Sequence, residues 1–233
     1  MIRAVVYDFH RTLALPPGGT IWRRSLLAEL PAAGIDPLEL GRVLEAGFPW
    51  AAPEVRREHG TQEVARAFFV DLLVAAARAG GAAPRVARAA AERAYDRVTH
   101  PTESNVLYPE TLEVVQAVHE LGVRQLVLSN HVWELPGICA ALGLVPPLAE
   151  VLCSAQLGVE KPHPLAYRAA VEVARCAPHE ILFVGDTFEA DVAGPQRSGM
   201  QALLVRRPHA SATRYADDLR GVLAALSDYD HPK

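Results

Sequence analysis

Four short segments of this 233-residue chain set polar, reactive side chains at the ends of apolar runs. They are Asp8-Phe9-His10-Arg11-Thr12-Leu13, Ser129-Asn130, Lys161-Pro162, and Gly185-Asp186 continuing to Asp191. A carboxylate such as Asp8 can act as a nucleophile and split one difficult step into two. Asp186 with Asp191 offers the hard oxygen ligands that suit Mg2+. Ser129 can donate a hydrogen bond to an anionic group, and Lys161 can set a positive charge against it. The chemistry that needs all four is displacement at phosphorus. A phosphate monoester is dianionic and repels an anionic nucleophile, so catalysis rests on positioning and charge neutralisation. Singly, each residue has an ordinary explanation: a strand-ending Asp caps a helix or shapes a turn, and a lone lysine lies on the surface. Their order, and their placement after strands, carries the argument.

The elements that must hold these groups are legible as apolar periodicity. Arg3 to Asp8 reads as a short buried strand, and Pro16, Pro17, Gly18 and Gly19 break any regular element after it. Helical patterns follow over Ile21 to Leu30, Pro37 to Ala46, Thr61 to Ala79 and Pro84 to about Val98. Beyond His100 the pattern alternates. Helices are predicted over Thr111 to Leu121, Leu165 to Arg175 and Glu189 to Ser198, and a closing one around Leu219, Val222, Leu223 and Leu226. Strands are predicted at Val123 to Leu128, Val151 to Cys153, Ile181 to Val184 and Ala202 to Val205. This alternation implies an α/β fold, with a Rossmann-like parallel sheet as core and an inserted α-helical cap domain. Residues 1–14 and 105–233 are assigned to the core and 15–104 to the cap. Ligands of open α/β sheets bind outside the carboxyl ends of the strands, where Asp8, Ser129 and Asp186 fall.

Taken together, the four segments resemble the motifs of the haloacid dehalogenase (HAD) superfamily over about residues 1–14 and 105–206. Three further runs resemble a bacterial subgroup of those hydrolases: Gly47-Phe48-Pro49-Trp50, Ser129-Asn130-His131 with Glu134-Leu135-Pro136, and Lys161-Pro162-His163-Pro164. The resemblance implies a Mg2+-dependent hydrolase, a phosphatase of a small phosphorylated metabolite, working through an aspartyl-phosphate on Asp8. It implies metal ligation by Asp8, Asp186, Asp191 and the backbone carbonyl of His10. Lys161 is then expected to restrain Asp8 and Asp186, and Thr12 to help hold the nucleophile loop.

One departure from that pattern bears on mechanism. The superfamily's phosphatases usually carry a second Asp two positions after the nucleophile, as proton donor and acceptor, and here that position is His10. Three readings follow. His10 performs the same duty, since imidazole titrates near neutrality. Alternatively, it serves a leaving group other than a phosphate ester. Or the chain is a weak or non-catalytic relative that binds a phosphorylated ligand.

Substrate contacts are expected from Thr12, Asn130 and His131 near the site, and from Trp50, Arg56 and His59 in a proline-bounded stretch of the cap. Half of the residues are hydrophobic, enough for a full core, and the formal net charge of -4 comes with interspersed signs. No basic block points to nucleic acid. The first apolar run is too short for a signal peptide or membrane span. Cys139, Cys153 and Cys176 are few, odd in number and without metal-type spacing, which suits a reducing cytoplasm. Monomer and homodimer both remain open.

Overall fold

The computed structural model describes residues 1–15, 21–31, 34–47 and 61–230. Strand β1 (Ala4–Tyr7) is buried throughout, as expected of a central strand covered on both faces. The two-residue β2 (Ala14–Leu15) pairs antiparallel with β3 (Val106–Leu107) as a small ribbon. The remaining strands are β4 (Arg124–Ser129), β5 (Glu150–Cys153), β6 (Ile181–Gly185), β7 (Gln201–Val205) and β8 (Tyr215–Ala216). With β1 they form one parallel sheet in the order β5-β4-β1-β6-β7-β8.

The chain winds away from β1 on both sides, so β1 borders the reversal point where such sheets bind ligands. Register does the rest. Tyr7 lies opposite both Val127 and Val184. Asp8 therefore leaves the sheet level with the residues that precede Ser129 and Asp186. The alternation of side chains across the pleat gives two apolar faces. Ala4, Val6, Leu126, Leu128, Ile181 and Phe183 pack with Ala166, Tyr167 and Ala170. Val5, Tyr7, Val127, Leu182 and Val184 pack with Val114, Val118, Val222 and Leu226.

Between β2 and β3 run α1 (Ile21–Glu29), α2 (Pro37–Gly47), α3 (Gln62–Ala79) and α4 (Pro84–Thr99). Thr61 caps α3 through its hydroxyl, and Pro84 opens α4 at a position where a missing N–H costs nothing. Gly81, at φ 101°, passes so close to the Gly34 carbonyl that a Cβ would sit 2.8 Å from its oxygen; only glycine fits there. On α4 the buried stripe Ala87, Ala90, Ala91 and Ala94 has no bulk, which lets α3 approach closely. Glu29 of α1 gathers Arg93 and Arg97 of α4.

The helices in the second half are α5 (Thr111–Glu120), α6 (Leu135–Ala141), α7 (Ser154–Leu157), α8 (Pro164–Ala174), α9 (Gly194–Arg197) and α10 (Gly221–Asp230). The parallel core and four-helix excursion match the expectation from periodicity. The β2–β3 ribbon, α6, α7 and β8 do not figure in it, because each is too short to show a period. The helix expected over Glu189 to Ser198 is instead a π-helical turn, Phe188–Ala193, followed by α9. Pro195 has no N–H to continue the ordinary ladder. Gly194 is required by Tyr167, whose hydroxyl oxygen would lie 2.1 Å from an added Cβ. No helix among the described residues is long and apolar enough to cross a membrane.

Glu134, just before α6, ties the four helices to the sheet. Its carboxylate accepts from Tyr95 Oη at 2.9 and 3.0 Å and from Gln62 Nε2 at 3.1 Å. Tyr95 is itself rooted among Trp22 and Phe69. Tyr95→Phe removes a charge-assisted bond and leaves the ring packing intact. The expected loss is about 1–3 kcal/mol of unfolding free energy, measurable by urea denaturation; a change below about 0.5 kcal/mol would show that this bond is not what fastens the helices.

Candidate active site

Three carboxylates converge beyond the strand ends. Asp8, Asp186 and Asp191 are all buried, and an oxygen from each lies within 4.8 Å of the others. Asp8 follows β1, its N–H bonded to the Val184 carbonyl at 2.8 Å. Asp186 follows β6. Asp191 arrives through the π-helical turn, a wide turn recurrent at functional sites. Its Oδ2 accepts the Thr187 N–H at 2.9 Å. Gly185 makes room: a Cβ there would lie 2.3 Å from the Asp191 carboxyl carbon.

Lys161, 3% exposed, bridges two of the three. Its Nζ donates to Asp8 Oδ1 at 2.8 Å and to Asp191 Oδ1 at 2.7 Å. The expected pair was Asp8 and Asp186; in the structure Asp191 takes the place of Asp186. The π-helical turn carries Asp191 inward to the ammonium, while Asp186 receives Arg207 Nη1 at 3.2 Å and Thr187 Oγ1 at 3.2 Å. Ser129 Oγ donates to Asp8 Oδ1 at 3.0 Å.

Burial works against the Lys161 charge, yet Asp191 and Asp8 outweigh it and hold its pKa above the ordinary lysine value. Burial, reinforced by Asp8, raises Asp191 and Asp186, against the lowering by Lys161 and Arg207 respectively. The raised carboxylates reflect first their removal from water and second the negative charge of Asp8 beside them. Three buried carboxylates at this separation are a donor set of hard oxygens suited to a divalent cation.

His10 sits partly buried on the turn after β1. Leu13 and Ala14 N–H groups both return to the Phe9 carbonyl, at 2.9 and 3.0 Å, and Arg11 takes a left-handed φ of 61°. His10 Nε2 lies 3.0 Å from Asn105 Oδ1. The Asn105 amide is oriented by donation from its Nδ2 to the Pro101 carbonyl at 3.2 Å. An acceptor therefore faces Nε2, so Nε2 carries the hydrogen, and in the neutral ring Nδ1 holds the lone pair. Burial is the largest influence on His10 and lowers its pKa, against the hydrogen bond it donates to Asn105 and the charge of Asp8.

The remaining sequence candidates divide. Asn130 is engaged with the backbone of Lys161: its Nδ2 donates to the carbonyl and its Oδ1 accepts the N–H, each at 2.8 Å. In place of a free substrate contact it fixes where Lys161 begins. Thr12 is fully buried and its hydroxyl has no partner among the described residues. What holds the nucleophile loop at Thr12 is the main-chain carbonyl, bonded by Arg206. His131 is 6% exposed, its ring 4.7 Å from that of His10 and 5.4 Å from that of Phe9. Neither of its ring nitrogens has a partner among the described residues. Burial lowers its pKa well below the ordinary histidine value. Trp50, Arg56 and His59 lie outside the described residues. Asn105, Arg206 and Arg207 were missed; each meets the site from far along the chain, and no local pattern marks them.

Residues 4–199 match the family model of haloacid dehalogenase-like hydrolases. The chain is 33% identical over 153 residues to a phosphoserine phosphatase of Thermus thermophilus, a match covering 62% of this chain and 59% of that protein. It is 30% identical over 221 residues to a glyceraldehyde 3-phosphate phosphatase of Methanopyrus kandleri, covering 89% and 85%. Its fold is similar to the crystal structure of a 2-haloacid dehalogenase from Pseudomonas syringae, with TM-score 0.75, 20% identity and coverage of 98% and 100%. It is also similar to that of a HAD phosphatase from Thermococcus onnurineus, with TM-score 0.68, 18% identity and coverage of 97% and 98%.

The raised carboxylates give a sign to pH dependence. A carboxyl whose pKa is higher folded than unfolded binds more protons in the native state between the two values. Metal-free stability should then fall as pH rises through that window, and Asp191→Asn should flatten the decline. Thermal denaturation across pH with EDTA measures it; a metal-free Tm that climbs over the same window in wild type would contradict the raised carboxyl pKa values.

Proposed function

This chain belongs to the haloacid dehalogenase-like hydrolase family, and on that premise we propose that it is a Mg2+-dependent phosphatase of a small phosphorylated metabolite. The observation that carries the proposal is the convergence of Asp8 with Ser129, Lys161, Asp186 and Asp191 at the carboxyl end of the sheet. Residues 1–14 and 105–233 form the catalytic core in this reading, and residues 15–104 form a cap over it. The names of the two relatives support the phosphate ester class without choosing the ester.

Asp8 attacks phosphorus. The contacts from Ser129 and Lys161 both fall on Oδ1, which leaves Oδ2 to make the new bond. As the O–P bond to the leaving group breaks, the departing oxygen takes a proton from His10. Water then attacks the aspartyl-phosphate while His10 Nδ1 takes its proton, and Asp8 is regenerated with release of inorganic phosphate. With substrate bound, the single Ser129 hydrogen turns from Asp8 to a phosphoryl oxygen, and Lys161 offsets part of the charge that accumulates between Asp8 and the phosphate. Asp8, Asp186, Asp191 and the His10 carbonyl are the ligands assigned to Mg2+, which when bound neutralises phosphoryl oxygens. Asn130 holds Lys161 in place, and His131, with two unpaired ring nitrogens beside His10, contacts the alcohol portion of the substrate. A carbon–halogen reaction has no use for the second pair of carboxylates, which disfavours dehalogenation despite the shared fold.

Phosphate release from a generic aryl phosphate and a metabolite panel tests the reading. Release should require Mg2+, stop with EDTA, and fall by at least about 1000-fold in Asp8→Asn, the scale of removing a catalytic nucleophile. Folded, Mg2+-binding protein that releases phosphate from no compound would replace it with a phosphate-binding role. The duty of His10 is read separately. His10→Ala should lose on the order of 100-fold in kcat together with one limb of the pH–rate profile, and an unchanged profile would remove His10 from proton transfer.

A further inference from the structure

The turn that ends β7 bears on the nucleophile from behind. Arg207 N–H donates to the Val205 carbonyl at 2.7 Å, closing a three-residue turn around Arg206. Arg206 has φ 66° at its centre. A left-handed conformation is unfavourable for a long side chain and persists only where the surroundings over-determine it. The surroundings of Arg206 do so. Its side chain is 12% exposed. Its guanidinium lies 3.3 Å from the centre of the Tyr108 ring and pairs with Glu110 at 2.7 Å. It donates twice to the Thr12 carbonyl, from Nη2 at 2.9 Å and from Nε at 3.3 Å.

Glu110 is held in turn, receiving the Leu219 N–H at 3.4 Å. The neighbouring Leu13 carbonyl is bonded by Thr111 Oγ1 at 2.8 Å and by Tyr108 N–H at 3.1 Å. Two consecutive carbonyls of the turn that begins at Asp8 are therefore gripped by the opening of α5 and the end of β7. The same strained turn sends the next residue, Arg207, to Asp186.

We propose that Arg206 is a positioning residue for the reaction: through the Thr12 carbonyl it fixes the turn that aims Asp8 and His10. The proposal rests on the phosphatase reading for its kinetic consequence, but not for its structural one. Arginine is specified because the site uses three properties at once: a fork for the carbonyl, a charge for Glu110 and a flat face for Tyr108. Lysine can keep the ion pair but cannot also supply the fork and the face.

Arg206→Lys and Arg206→Met are compared with wild type and with Arg220→Gln, a control in an exposed ion pair with Glu113 and Asp218. Two readouts are used: hydrogen exchange of the Phe9 to Leu15 amides, and kcat and KM on a generic aryl phosphate with Mg2+. Arg206→Lys is expected to stay folded, to exchange Thr12 to Ala14 at least about 10-fold faster, and to lose on the order of 10- to 100-fold in kcat with KM changed less than about 3-fold. Arg206→Met should go further in the same direction, and Arg220→Gln should match wild type. Exchange that stays at the wild-type rate in folded Arg206→Lys overturns the proposal, as does a KM rise with kcat preserved. If wild type releases no phosphate, the phosphatase reading fails, and exchange alone decides whether Arg206 holds the turn.

Discussion

One buried ammonium between two buried carboxylates is the contact on which the site depends. Lys161 reaches Asp8 and Asp191 at hydrogen-bond distance with almost no exposure to water. Taking such charges out of water costs several kcal/mol per ion, and mutual attraction repays this only with good geometry and complete hydrogen bonding. The surrounding structure meets those conditions. Asn130 fixes the backbone of Lys161 at both its N–H and its carbonyl, Thr187 satisfies the far oxygen of Asp191, and Ser129 adds a second donor to Asp8. Asp186 then makes the balance negative again, with only the half-exposed Arg207 against it. On the proposed function, the fold tolerates this repulsion at the place where a divalent cation would relieve it.

How much of this the sequence shows depends on the range of each cause. A polar residue at the end of an apolar strand is a local signal, so Asp8, Ser129 and Asp186 stood out, as did the central strands. Which carboxylate meets Lys161 is not local. It follows from the wide turn over Phe188–Ala193, itself set by Gly185, Gly194 and Pro195, and sequence reasoning chose the wrong partner. Asn105 and Arg206 were invisible for a related reason. Each meets residues 10–12 from about a hundred or two hundred positions away, and an Asn in a loop or an Arg after a strand has no signature. Nor does the sequence show that the Asn130 side chain is spent on the backbone of Lys161, or that Thr12 is held through its main-chain carbonyl.

The loop after β4 shows how the helices and the site are joined. Glu134 occupies the N-cap position of α6, yet its side chain makes no capping bond to that helix. It is turned instead to Tyr95 and Gln62. A local preference left unmet in favour of a distant partner signals a constraint from elsewhere in the fold. Glu134 is also five positions beyond Ser129, and Asn130 between them is fastened to Lys161. The loop that presents Ser129 and His131 is thus gripped at one end by the Lys161 backbone and at the other by the helices.

His10 is the place where this site departs from a pair of aspartates, and its surroundings constrain what an imidazole can do there. Asn105 settles the tautomer: Nε2 keeps its hydrogen in either charge state, so any proton exchanged with substrate or water travels through Nδ1. Burial favours the neutral ring, which in the proposed mechanism is the form needed to take a proton from water in the second step. The first step needs the charged form. The arriving phosphate dianion favours protonation, whereas a divalent cation opposes it. Proton supply to the leaving group and hydrolysis of the intermediate thus place opposite demands on one nitrogen. On that mechanism, the leaving groups the site would expel are those whose need for a proton falls within what His10 can hold in the presence of both charges.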